Sequence, residues 1–156
     1  MKPEKDRTCC FFGHGRVDVK GELYDNVKNR IESLIVEDEV DTFLFERKSE
    51  FDILCYFAVT KLKEKYPHIK RIYARTDFPF IHGGFVDHDE DYDDAYYPGR
   101  ILHDGDRNII YRGQSEKEWL AMSGTCLLYD EKGLCDSWFD FEYARQNKVC
   151  IMYMGK

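Results

Sequence analysis

Apolar positions along this chain alternate between short continuous runs and longer stretches at helical spacing. Thr8–Gly13 is a short apolar run closed by glycine, which predicts a buried strand. Val27, Ile31, Leu34 and Ile35 then recur three or four residues apart, predicting an amphipathic helix over roughly Glu22–Val36. Thr42–Phe45, entered from Asp41, reads as a second strand. From Glu50 the positions Leu54, Cys55, Phe57, Ala58 and Leu62 trace a helical face. Tyr66-Pro67 ends that helix, because proline cannot continue the hydrogen-bond ladder. Ile69–Ala74 is a third strand, and Ser115-x-x-Glu118 is a capping box opening a helix through Met122. Thr125–Tyr129, Ser137–Asn147 and Val149–Met154 complete the series as strand, helix and strand.

Strands that alternate with helices pair in parallel, since each crossover needs a helix's worth of chain. The expected fold is therefore a single α/β domain over residues 1–156. It is a three-layer, Rossmann-like, doubly wound sheet of about five parallel strands, with helices on both faces. Such sheets bind ligands at the carboxyl ends of their strands, near the switch in strand order. The loops after Phe12, Phe45, Ala74 and Tyr129 are the places to search. Arg75–Gln114 breaks the alternation as a long irregular loop rich in Gly, Asp and Tyr, and loops of that length are usually functional or mobile. Its acidic run, Asp87, Asp89, Glu90, Asp91, Asp93 and Asp94, lacks the spaced glycine and closing glutamate of an EF-hand. A solvated acidic surface is the better reading, and no metal site is expected.

Composition narrows the functions. Of 156 residues, 43% are hydrophobic and 34% charged, the balance of a globular chain. A net charge of −7 repels a phosphate backbone, so nucleic acid is not an expected partner. No apolar run approaches the ~20 residues that cross a bilayer, and the charged start Met1–Arg7 does not read as a signal peptide. Cys9, Cys10, Cys126 and Cys150 fall in strand-like runs and Cys55 on a buried helical face, with no CxxC pair anywhere. These read as small, reduced, buried hydrophobes of a cytoplasmic protein. Adjacent Cys9 and Cys10 should face opposite sides of the sheet.

The first loop reads Cys10-Phe11-Phe12-Gly13-His14-Gly15-Arg16. With Ser49-Glu50-Phe51-Asp52, Leu54-Cys55-Tyr56 and the segment Leu62–Tyr73, it resembles an uncharacterised branch of the SLOG superfamily. These are Rossmann-like proteins related to cytokinin-activating phosphoribohydrolases and DprA-type proteins. Tyr92-Asp93-Asp94, Tyr97-Pro98, Trp119, Leu127–Glu131 and Phe141-Glu142-Tyr143-Ala144 carry the resemblance further. The chain departs from it at Glu46-Arg47-Lys48-Ser49, where the family has a Gly-Gly-x-Gly turn, and at Asp136-Ser137, where it has Gly-Thr. The family's Arg-Asn falls either on Glu116-Lys117 or on Arg107-Asn108. The full phosphoribohydrolase signature is absent.

The resemblance implies a nucleotide-type ligand, an NAD- or ADP-ribose-like metabolite. Exposed amides at a strand's carboxyl end can receive its anionic group, which assigns phosphate cradling to the backbone at Gly13 and Gly15. His14 is placed to bridge a phosphate or stack on a base, or simply to satisfy a carbonyl. Arg16 and Arg47 supply charge, and Ser49 and Asp52 orient the ligand. Asp52 also suits a helix first turn on electrostatic grounds alone. The alternative is an enzyme hydrolysing a nucleotide N-glycosidic bond, with Glu46 or Asp140 as the acid. Against this, Ser137-Trp138-Phe139-Asp140 has the spacing of a helix cap. A second alternative is a non-catalytic scaffold that binds a protein partner. No cofactor is expected, and assembly into a homo-oligomer is left open.

Overall fold

The computed structural model describes residues 4–17, 21–45, 49–74, 93–96, 101–102, 109–110, 119–133 and 135–154. In chain order the elements are β1 (Thr8–His14), α1 (Glu22–Glu37), β2 (Thr42–Phe45), α2 (Glu50–Lys63) and β3 (Lys70–Ala74). Three short strands follow, β4 (Asp94–Tyr96), β5 (Ile101–Leu102) and β6 (Ile109–Ile110). A helix described over 119–122, α3, leads to β7 (Thr125–Asp130), α4 (Phe141–Gln146) and β8 (Cys150–Tyr153). Six of the strands form one sheet in the order β4-β3-β2-β1-β7-β8, and every neighbouring pair is parallel. The doubly wound α/β sheet expected from the alternation is thus the fold. β5 and β6 pair antiparallel in a ribbon of their own.

The pleat sorts the core into two layers. Cys9 and Phe11 of β1, with Phe43 and Phe45 of β2, meet Val27, Ile31, Leu54, Ala58 and Leu62 of α1 and α2. Phe11 stacks on Phe43 and Phe45 with ring centroids 6.1 and 5.1 Å apart. Cys10, Phe12 and Leu44 point the other way, against Trp119 and Leu120 of α3, Phe139, and Ala144 of α4. Adjacent cysteines therefore do face opposite layers. The chain moves outward from β1 to β3 with its helices on one face, then returns to the far side of β1 with its helices on the other. Right-handed crossovers demand that change of face when the direction across the sheet reverses.

Four sequence expectations are corrected. Phe57 is 52% exposed, because it lies roughly 130° around α2 from the centre of the face made by Phe51, Leu54, Cys55, Ala58, Val59 and Leu62. Helix α4 starts at Phe141, one turn later than Ser137; residues Cys135–Ser137 form a 3-10 turn and Asp140 is the N-cap. Cys150 is exposed, since β8 is an edge strand with a half-open face, whereas Cys9, Cys10, Cys55, Cys126 and Cys135 are buried free thiols. The stretch read as an irregular loop contributes β4. That strand is tied to β3 by Arg71, whose backbone N–H and Nε donate to Asp93 Oδ2 at 2.7 and 3.1 Å. Partial burial works to raise the Asp93 pKa, but the Arg71 hydrogen bonds outweigh it and hold the carboxyl below its usual range. Ser115–Glu118 and the acidic residues from Asp87 to Asp91 lie outside the described residues.

Candidate functional site

Strand order reverses between β1 and β7, and these strands are in register to their ends: Gly13 lies beside Tyr129 and His14 beside Asp130. The loop leaving β1 and the turn leaving β7 are therefore neighbours at the position where doubly wound sheets hold ligands. Between them opens a cleft of about 860 Å³. Its walls are the loop at Arg16 and Val17, the first turns of α1, the 129–133 turn, and Tyr153 and Met154 at the end of β8.

Two glycines shape the loop for different reasons. A Cβ on Gly13 would sit 2.4 Å from Phe51 Cβ, so the close approach of α2 excludes any side chain there. Phe51 in turn stacks on Tyr129, ring centroids 5.3 Å apart and planes 16° from parallel, which fixes one wall of the cleft. Gly15 has φ +97°, a conformation that favours glycine, and its Cβ would meet Glu131 Cβ at 2.6 Å.

Glu131 crosses from the β7 turn to the β1 loop. Its backbone N–H donates to His14 O at 3.1 Å, and its Oε1 accepts the Arg16 N–H at 3.1 Å. The next amide, that of Val17, donates to Glu50 Oε1 from the start of α2 at 2.9 Å. Tyr129 donates its hydroxyl to Arg16 O at 3.4 Å. Beneath the turn, Asp130 is buried: Oδ2 accepts the Trp138 indole N–H and Oδ1 accepts the Lys132 N–H at 2.8 Å. Tyr153 donates to Asp130 O at 3.0 Å. Burial raises the pKa of Tyr129, helped by the charges of Glu131 and Asp130. Burial likewise raises that of Tyr153, so both cleft phenols remain neutral hydroxyl donors at neutral pH.

The residues singled out from the sequence divide accordingly. Arg16 lines the cleft, and Gly13, His14 and Gly15 form the loop beside it. The exposed His14 ring lies 5.8 Å from the Trp138 ring. Ser49 caps α2, accepting the Asp52 N–H at 3.0 Å, and Asp52 is buried in the first turn of that helix. Asp140 caps α4 by accepting the Tyr143 N–H at 3.0 Å. None of these three lines the cleft. Glu46, Arg47 and Lys48 lie outside the described residues, as do Arg107-Asn108 and Glu116-Lys117.

The rest of the lining escaped prediction. The β7 exit was one of the expected ligand loops, so Tyr129, Glu131 and Lys132 had a positional signal. Tyr153 had none. Among the described residues, no cluster of three or more His, Cys, Asp or Glu side chains could hold a metal ion, and no helix is long and apolar enough to cross a membrane. No protein-family model matches the chain, and no curated protein matches it.

Proposed function

We propose that the protein binds a nucleotide-type small molecule, an NAD- or ADP-ribose-like metabolite, in the cleft between the ends of β1 and β7. The observation that carries this reading is the placement of an 860 Å³ cleft at the reversal of strand order. That volume lies within the ~300–1,000 Å³ of ordinary small-molecule sites. The lining suits the ligand's parts. Arg16 and Lys132 offer positive charge to a phosphate, while Tyr129 and Tyr153 offer aromatic surface and hydroxyl oxygens that can accept from a base or sugar. Leu23 and Met154 add apolar surface. The resemblance of the β1 loop to SLOG proteins points the same way.

A thermal-shift panel of nucleotides and dinucleotides tests the reading. A ligand at a hundred times its Kd stabilises by about 2.7 kcal/mol, a rise of several degrees in Tm for a domain of this size. Arg16→Ala should abolish most of that rise while leaving the Tm of the free protein nearly unchanged. If no nucleotide at millimolar concentration raises the Tm, the reading fails.

A further inference from the structure

An anionic ligand approaching the β1 loop meets an amide that is already taken. The Arg16 N–H, which follows the positive-φ turn at Gly15 and borders the cleft, is bonded to the Glu131 carboxylate. Glu131 itself is exposed and lines the cleft, so the bond is made at the ligand's own doorway. Its backbone is separately anchored to His14 O, which keeps the side chain poised over the loop whether or not its carboxylate is engaged. Glu50 does the same for Val17 from the α2 side, but it does not line the cleft.

We propose that Glu131 is an internal competitor for the ligand's anionic group. Its carboxylate occupies the Arg16 amide, and a phosphate or pyrophosphate moiety binds that amide only by displacing it into solvent. Release is feasible because the carboxylate is exposed, so water replaces the lost hydrogen bond. The competition sets a threshold. A small free anion, held by the loop and little else, displaces Glu131 poorly. A nucleotide that also contacts Tyr129 and Tyr153 has further binding energy to drive the exchange. The displacement raises the Kd of every such anion by the same factor, so only ligands with those further contacts remain tight binders. The inference rests on the cleft being the anionic-ligand site proposed above.

The test uses inorganic pyrophosphate as probe, with calorimetric titration and the backbone amide NMR signal of Arg16 as readouts. Glu131→Ala removes the competitor together with one negative charge. Glu22→Ala removes an equal charge from the same cleft without touching a loop amide, and so serves as the electrostatic control. Glu131→Ala should bind pyrophosphate about tenfold more tightly than the wild type, equivalent to about 1.4 kcal/mol, with a shift of the Arg16 amide on binding. Glu22→Ala should gain about twofold at most. Equal gains in the two variants would overturn the inference, since Glu131 would then act through charge alone. A loss of affinity in Glu131→Ala, or no binding of pyrophosphate by that variant, would overturn it as well. The parent reading is decided separately by the nucleotide panel on wild-type protein, because a nucleotide held through the two tyrosines still raises the Tm.

Discussion

The two halves of the sheet differ in how they are built. From β1 to β3 the chain uses two long helices and a stack of phenylalanines, and the α1–α2 layer is apolar apart from Asp52 in the first turn of α2. From β7 to β8 it uses a 3-10 turn and a six-residue helix, and it buries an aspartate that accepts the Trp138 and Lys132 N–H groups beneath the turn. The first half is a regular scaffold that meets the cleft through the β1 loop and the start of α1. The second is irregular, and it supplies Tyr129, Glu131, Lys132 and Tyr153 to the cleft. Regular periodicity makes a rigid platform, while the breaks in it present functional groups.

The comparison can be broken by stability measurements in urea. Phe11→Ala empties the centre of the phenylalanine stack and should lower the unfolding free energy by about 3–5 kcal/mol. Trp138→Phe keeps an aromatic ring but removes one donor to the buried Asp130, and should cost less, about 1.5–3 kcal/mol. If the two losses were equal, the β7–β8 half would be scaffold to the same degree and the contrast would collapse.

The smallest effect concerns the outer edge of the scaffold half, where Asp93 ties β4 to β3. Its folded pKa is depressed, so its contribution is present above the unfolded value and lost as pH falls through the folded one. The pair is partly solvated, which keeps that contribution below about 1 kcal/mol. Asp93→Asn should therefore lower stability slightly at neutral pH and flatten the loss seen below about pH 4. An unchanged acid limb in urea titrations of the variant would show that β4 is held by its backbone pairing alone.

The difference between the halves also explains what could be read in advance. Val27, Ile31, Leu34 and Ile35 repeat cleanly and mark α1, as Leu54, Cys55, Ala58 and Leu62 mark α2. Strand β4 carries no apolar run; its place depends on an ion pair between residues 22 positions apart, which periodicity does not register. Helix α4 was expected a turn early because Ser137 and Asp140 are both good caps, and burial of Phe139 together with the Trp138–Asp130 bond favours the later start. Cys150 looks buried in any strand pattern, and only strand order reveals it on an edge. At the cleft, the strand-end glycines marked the loop. Single turn residues such as Glu131 have no pattern of their own, and their meaning comes from the β1–β7 register.

One ring links the scaffold to the cleft. Phe51 belongs to α2 and does not line the cleft, yet it touches the position of Gly13 and carries Tyr129 on its face. The width of the cleft at that wall is thus inherited from a helix on the far side of the loop. In a lineage of such proteins, positions 51 and 129 would drift as a pair, a smaller residue at 51 releasing the phenol, while position 13 stays glycine because its clash is with the β-carbon of residue 51. Anyone redesigning the protein for a larger guest would do best to begin at Phe51, out of the guest's reach.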